Sequence, residues 1–307
     1  MPVVKASASP FSNFDVVPTG FPKLDKLLGV GGIPTRKITE FYGSWSVGKS
    51  TLSFTIIKNA QGLGMDVLLA DTEVSFGPDY AKALGVDLER LDLLQERFAE
   101  NTLDEIEAWV EGHKDALVVL DSVGGLLPRA EAEKSAEGKT IGGQAKLVAT
   151  FCRKIVPLLA INNVALLVVN HEFQDLMTSA MKSSGGAKLA YHKSISIRLK
   201  KSFNKQVTEK ASGTRVGDFI EAEVKKNKLA ATSGQKCDLL LLWGEGFSQQ
   251  ADVLEDLVQA GKIGKQGQFW YRIDPHEKLA RGDGAMRELL KDPEFVSRLK
   301  LETPERT

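Results

Sequence analysis

The chain has 307 residues, 42% hydrophobic and 26% charged, with 40 basic against 40 acidic side chains and a formal net charge of zero. That is the composition of a globular protein with one large domain, or a large one and a small one. A membrane-spanning class is excluded, since no apolar run nears the roughly 20 residues a bilayer requires, and M-P-V-V-K-A-S-A-S-P-F has no secretory h-region. The two cysteines, Cys152 and Cys237, read as small buried hydrophobes rather than a disulfide or metal pair, which fits a reducing cytoplasm. Charge is unevenly spread: Asp66 to Asp115 carries 4 Lys/Arg against 14 Asp/Glu, and Met181 to Ala230 carries 12 against 4. One basic surface on an otherwise acidic molecule is expected, with an ordinary solvated face as the alternative.

In chain order, strands are predicted at Lys37–Tyr42, Met65–Asp71, Ala116–Asp121, Val164–Asn170 and Ser194–Lys200. Helices are predicted between them at Lys49–Leu63, Thr102–Lys114 and Gly142–Asn162. The alternation implies an α/β fold with a mostly parallel central sheet covered on both faces. Lys201–Gly217 is polar and reads as a hairpin excursion; Phe219–Lys226 and Cys237–Trp243 read as antiparallel additions at the sheet edge. Beyond Gly244–Gly246 a helix (Ala251–Ala260), a strand (Phe269–Ile273) and helices near Gly284–Leu290 and Pro293–Leu301 suggest a small C-terminal module. The expected division is a short segment at 1–16, a core at 17–245 and a small α/β domain at 246–307.

The first predicted strand runs into G-S-W-S-V-G-K-S, residues Gly43, Ser44, Trp45, Ser46, Val47, Gly48, Lys49 and Ser50, followed by Thr51 and a helix. In this context the pattern is a phosphate-binding P-loop rather than a plain strand-to-helix turn. Backbone N–H groups and the helix N-terminus face phosphate oxygens, Lys49 reaches the β- and γ-phosphates, and the Ser50 hydroxyl takes a place on Mg²⁺. A-L-V-V-L-D-S ends a buried strand at Asp121, beside the P-loop, where its carboxylate can hold the same ion. A hydrolase also needs a group that orients or deprotonates water. L-L-A-D-T-E offers Glu73 and Asp71, and position alone leaves both open.

The order Lys49, Glu73, Asp121 resembles the RecA family of recombinases, and the similarity runs through nearly the whole chain. V-P-T-G-F-P-K-L-D-K-L-L-G-V-G-G-I-P, D-T-E-V-S-F-G-P-D-Y-A-K-A-L-G-V-D, L-D-S-V-G-G-L-L-P-R-A-E and G-Q-F-W-Y carry it. The resemblance implies a RecA-like P-loop ATPase core with ATP and Mg²⁺, and it selects Glu73 as the catalytic glutamate. Tyr80 falls where a tyrosine packs on the base, while Gly77 replaces the family's base-contacting aspartate. The Asn170–His171 pair and the short N-terminal segment look more like phage-encoded UvsX than bacterial RecA. His171 stands where the family has a γ-phosphate-sensing glutamine. An imidazole changes charge near neutrality, so nucleotide sensing is expected to depend on pH.

Two loops are expected to meet DNA. In the first, Glu131 to Thr140, with Ile141 as a base wedge and Lys146 as a phosphate contact, follows the family. The second, Glu172 to Gly186, carries Phe173, Met177, Met181, Lys182, Gly185 and Gly186, a mixture of apolar wedges, cations and flexible glycines that suits single-stranded DNA. V-K-K-N-K-L resembles the segment whose lysines act on a neighbour's nucleotide, which assigns Lys226 and Lys228 a role in trans, and Tyr191 falls on a subunit contact. The function so implied is a DNA-dependent ATPase that forms filaments on single-stranded DNA and pairs it with homologous duplex. Loader or single-strand-binding proteins are possible partners, and no membrane is involved. The alternatives are a hexameric RecA-fold helicase and a non-catalytic accessory protein stabilising a partner's filament.

Overall fold

The computed structural model describes residues 5, 11, 13–133, 143–174, 181–208, 214–273 and 275–301. Its centre is a sheet whose inner strands are apolar on both sides. Strands β3 (Ile38–Gly43), β4 (Val67–Asp71), β6 (Leu117–Asp121) and β7 (Ala165–Gln174) are the expected ones, preceded by a small pair, β1 (Val16–Val17) with β2 (Ile33–Pro34), around helix α1 (Pro22–Leu28). The period of two divides each inner strand between two cores. Val67, Leu69, Leu117, Val119, Leu167 and Val169 pack on the side of α1 and α2 (Lys49–Gly62). Leu68, Ala70, Val118, Leu120, Leu166 and Val168 pack on the side of α4 (Ala99–Gly112) and α6 (Gly143–Asn162).

Between these lie α3 (Pro78–Ala83), β5 (Leu91–Leu94) and α5 (Arg129–Ala132). After β7 come β8 (Met181–Ser183), α7 (Gly186–His192), β9 (Ile195–Thr208), β10 (Arg215–Asn227), β11 (Lys236–Leu242) and β12 (Gly246–Phe247). The sheet order is β12-β11-β10-β9-β3-β7-β6-β4-β5. Pairings from β9 through β5 are parallel, whereas β9–β10, β10–β11 and β11–β12 are antiparallel. The α/β class and the antiparallel edge are as expected.

The remaining chain forms α8 (Gln249–Gln259), a meander of β13 (Ile263–Gln266), β14 (Phe269–Arg272) and β15 (Glu277–Arg281), then α9 (Asp283–Leu289) and α10 (Pro293–Leu301). Leu257, Ile263, Trp270, Ala280, Met286, Leu290 and Leu299 give these elements a core of their own. Helix α8 also faces α1, where Lys23 Nζ lies 3.2 Å from Asp252 and 2.7 Å from Glu255.

Two expectations are corrected. Strands β7 and β9 run well past Asn170 and Lys200, because β8 and β10 supply hydrogen-bonding partners beyond the parallel sheet. Glu172 to Gly186 is therefore not all loop: Glu172, Phe173 and Gln174 pair with Ser183, Lys182 and Met181 in an antiparallel ribbon. Among the cysteines, Cys152 is buried but Cys237 only partly so, and both are free thiols; burial pushes them up to about 11 and about 12 respectively.

Candidate nucleotide and DNA site

The P-loop turns sharply between β3 and α2. Gly43 has no room for a side chain, since a Cβ there would stand 2.2 Å from the Leu199 carbonyl oxygen on β9. Gly48, the N-cap of α2, takes φ +81, and a Cβ would meet the Phe247 ring at 2.8 Å. Val47 is fully buried and anchors the turn, while the Trp45 side chain stands 81% exposed. Lys49 Nζ donates to the carbonyls of Gly43 (3.1 Å) and Ser44 (2.8 Å), so its ammonium lies over the start of the loop. Burial pulls this ammonium below its ordinary value, and the charges of Asp121, Glu73 and Glu172 oppose that pull.

The parallel register puts Asp71 beside Asp121, and Gly43 beside His171, at the C-terminal edge of the sheet. Ser50 Oγ donates to Asp121 Oδ2 at 2.6 Å. Burial pushes the Asp121 carboxyl up against the Ser50 hydrogen bond, and the charges of Glu73 and Asp71 add to the rise. A partly buried carboxylate beside a hydroxyl suits Mg²⁺, which takes one or two protein oxygens and fills its shell with water and phosphate. Among the described residues no trio of His, Cys, Asp or Glu forms a closed metal cage.

Glu73 Oε1 accepts from Ser122 Oγ at 2.5 Å and from His171 Nε2 at 2.9 Å. Burial raises its pKa, but the Ser122 and His171 hydrogen bonds and the charges of His171 and Lys49 outweigh that and hold it below the ordinary range. Asp71, the competing base, is committed elsewhere: its Oδ2 accepts from the N–H groups of Ser75 (2.8 Å) and Phe76 (2.9 Å) and from Gln95 Nε2 (2.9 Å). It orders the turn that presents Glu73. Tyr80, on α3, meets Thr51 Oγ1 at 3.2 Å and packs edge-on to Phe54.

Ser46 to Thr51, Trp45, Glu73, Tyr80, Asp121 and His171 thus line one cavity of about 430 Å³. Leu241, Leu242, Trp243 and Gly244 complete its wall. Sequence reasoning missed Ser122 and Trp243. The first had a signal, a hydroxyl directly after the carboxylate that ends the buried strand; the second reaches the cavity through long-range antiparallel pairing, for which the sequence carries none.

The DNA-side residues are less gathered. Ile141 and Met177 lie outside the described residues. Lys146 is exposed on the first turns of α6. Phe173 on β7 and Met181 on β8 are 47% and 38% exposed, and Lys182 follows Met181 in β8, in register with Phe173. Gly185 caps α7 at φ +91 and Gly186 begins that helix. Phe173, Met181, Gly185, Gly186 and Lys226 share a second cavity, about 700 Å³, with Lys193. Lys226 Nζ donates to the carbonyls of Ala190 (2.5 Å) and Tyr191 (3.2 Å), and Lys228 Nζ donates to Tyr191 at 2.7 Å.

The family model for the RecA N-terminal domain matches residues 2–248, which spans the P-loop, Glu73, Asp121, the β7–β8 ribbon and the lysine edge. The chain belongs to the RecA family. Protein RecA of Streptomyces avermitilis is 31% identical over 308 residues, covering 99% of this chain and 80% of the relative. The RecA proteins of Thermus aquaticus and Thermus thermophilus are each 32% identical, covering 99% of this chain and 89% of the relative. The chain is accordingly a RecA-type recombination protein, in a family of DNA-dependent ATPases that bind DNA and form homo-oligomeric filaments. No helix among the described residues is long and apolar enough to cross a membrane.

Proposed function

We propose that this RecA-family chain assembles head-to-tail on single-stranded DNA, hydrolyses ATP at each junction between copies, and pairs the bound strand with homologous duplex. The observation that carries this reading is the separation of its two halves. Lys226 pairs with Ser196, and Ser196 with Glu40. The lysine edge is thus displaced from Gly43 by about 10 Å along the strands and about 10 Å across them, taking ~3.3 Å per residue and ~4.8 Å per strand. Lys228 lies further still toward the N-terminal edge of the parallel strands. Neither ammonium is placed to serve its own P-loop, which supports a role for the pair at the site of a second copy.

In this reading Lys49, with the N–H groups of Ser44 to Thr51, binds the triphosphate, and Tyr80 and Thr51 hold the base end. Ser50 and Asp121 would hold Mg²⁺, which would neutralise phosphate charge. Glu73, a carboxylate at neutral pH, accepts a proton from the attacking water, while Ser122 and His171 fix its orientation. Lys226 and Lys228 of a second copy meet the charge that develops at the γ-phosphate. Phe173, Met177, Met181, Lys182, Gly185 and Gly186, with Ile141 and Lys146, make the DNA surface. Residues 17–245 serve as the ATPase core and 246–307 as a small domain attached to it. The chain acts in the cytoplasm, with loader or single-strand-binding proteins as further partners. A narrower kinship to phage UvsX rests on the Asn170–His171 pair, and the bacterial relatives named above lend it no support.

The test is steady-state ATP turnover with and without single-stranded DNA, for the native chain and Glu73→Gln, alongside electron microscopy of the DNA complexes. Stimulated turnover lost in the variant, on helical filaments, is expected. Closed rings would point to a helicase, and absent turnover in protein that binds ATP would point to an accessory role.

A further inference from the structure

The large apolar side chains of the ATPase core are mostly buried, yet Trp45, which lines the nucleotide cavity, is 81% exposed and Val74 is 70% exposed. Val74, next to Glu73, is held at φ +51, a left-handed conformation that a β-branched residue rarely adopts. At the opposite end of the sheet Tyr191 is 69% exposed, with Lys228 Nζ 5.0 Å above its ring. One molecule therefore carries an aromatic knob at one edge and a cationic, aromatic ledge at the other.

The position of the knob within the cavity decides what can cover it. Lys49 Nζ sits on the carbonyls of Gly43 and Ser44, so the residue that follows stands at the γ-phosphate end, on the side of Glu73. The base end is marked instead by Tyr80 and Thr51, which touch each other. A tryptophan at the γ end has no base to stack on, and the negative face of its ring does not attract a phosphate. A lysine does attract it, because a cation over an indole face is favourable, more so when shielded from water. Trp243 already has such partners: its Nε1 donates to Asp218 at 3.3 Å, and Arg215 lies 5.5 Å over its ring.

We propose that Trp45 is the aromatic anchor of the junction between successive copies, packing against the Lys226–Lys228–Tyr191 ledge of a second copy of this chain. The inference rests on the head-to-tail reading above and adds to it the residue that holds the junction. Knob and ledge lie on different edges of one sheet, so the contact joins unlike surfaces and propagates head to tail instead of closing as a two-fold dimer. Tryptophan and tyrosine, here Trp45 and Tyr191, are also among the residue types enriched where interface energy concentrates.

The test uses the full chain with single-stranded DNA and a slowly hydrolysed ATP analogue. The native chain, Trp45→Ala and Trp45→Phe are titrated onto DNA by sedimentation and viewed by electron microscopy. Trp45→Ala is expected to need at least about tenfold more protein for half-saturation, the loss of one hot-spot contact, while Trp45→Phe recovers most of the difference. Iodide quenching of the emission that Trp45→Phe lacks gives the second readout. Protection only when DNA and analogue are both present supports the anchor. Protection by the analogue alone in dilute protein means the ring covers nucleotide, and overturns the proposal. Assembly of Trp45→Ala at native concentrations also overturns it while leaving the head-to-tail reading intact. Failure of the native chain to assemble overturns both.

Discussion

Lys193→Met should be among the most damaging single changes away from the nucleotide pocket. Glu40, in the middle of β3, is fully buried, and its carboxylate is held by Lys193, by Ser196 Oγ at 2.6 Å and by Asn170 Nδ2 at 3.1 Å. Removing the ammonium leaves a carboxylate with two neutral donors and no countercharge in the sheet interior. Breaking a buried pair on one side costs about 3–5 kcal/mol. At about 2–4 °C per kcal/mol for a domain of this class, the melting temperature should fall by roughly 6–20 °C. Replacing Glu40 by Gln in the same molecule removes the stranded charge, retains an acceptor for Asn170 and offers an amide N–H that the Ser196 hydroxyl can accept. The double variant should therefore recover at least about 2 kcal/mol relative to the sum of the single changes. Thermal and urea unfolding by circular dichroism measures all four corners of the cycle. A Lys193→Met protein within about 1 kcal/mol of native, or additive single changes, would refute the claim that the pair is a mutually dependent unit.

Asp71 and Glu73 should separate cleanly. Asp71→Ala strands two backbone N–H groups and Gln95, and is expected to cost about 1–3 kcal/mol in urea unfolding, whereas Glu73→Gln should melt near the native temperature yet lose at least about a hundredfold in DNA-stimulated turnover. Gly48→Ala should impair both folding and nucleotide binding, since its Cβ would stand 2.8 Å from the Phe247 ring at a left-handed φ; native-like ATP affinity in that variant would show the turn to be more yielding than argued. Assembly should also depend on pH. Burial pulls the Lys226 ammonium down to about 8, with Lys228 and Lys193 pushing the same way. A neighbour's phosphates raise that value on assembly, so protons are taken up above pH 8, and DNA binding should be full below about 8 and weaken as pH rises beyond it. Lys226→Arg, charged throughout, should flatten the profile; an unchanged slope in that variant would assign the dependence to another group.

The parallel core was legible because its signals are local. V-L-L-A-D and A-L-V-V-L-D-S are short apolar runs ended by carboxylates, and each carries its own strand; the second also ends on a residue of the cavity, Asp121. The P-loop was legible for the same reason, since Gly43, Gly48, Lys49 and Ser50 are close in sequence and their chemistry needs that closeness. What could not be read depends on distant partners. The hydrogen bonds of the β7–β8 ribbon join Phe173 to Lys182, and nothing in E-F-Q announces that a strand continues past the sheet. Trp243 reaches the nucleotide cavity only because β11 runs antiparallel to β10. Ser122 looked like the residue after a metal ligand, and its bond to Glu73 required β4 and β6 to be aligned side by side.

Strand β7 touches each part of this site. Inside the sheet it lies between β3 and β6, and beyond the sheet it pairs with β8. At the transition Asn170, fully buried, donates to Glu40 at 3.1 Å and to the Ser184 carbonyl at 2.8 Å, and accepts from the His171 N–H at 2.9 Å. His171 in turn reaches Glu73, Lys193 reaches both Glu40 and Ser183, and Lys226 caps the α7 carbonyls just before Lys193. Leaving a buried donor or acceptor unpaired costs about 1–3 kcal/mol, so these groups cannot shift one at a time. A backbone displacement at His171 breaks the Asn170 bonds unless Ser184 and the start of α7 move with it. The Glu73 carboxylate, the exposed Phe173–Met181 ribbon and the Lys226 edge are therefore joined through Glu40. A fully buried charge three residues ahead of the P-loop thus belongs to the hydrogen-bond network that reaches the site as well as to the packing of the sheet.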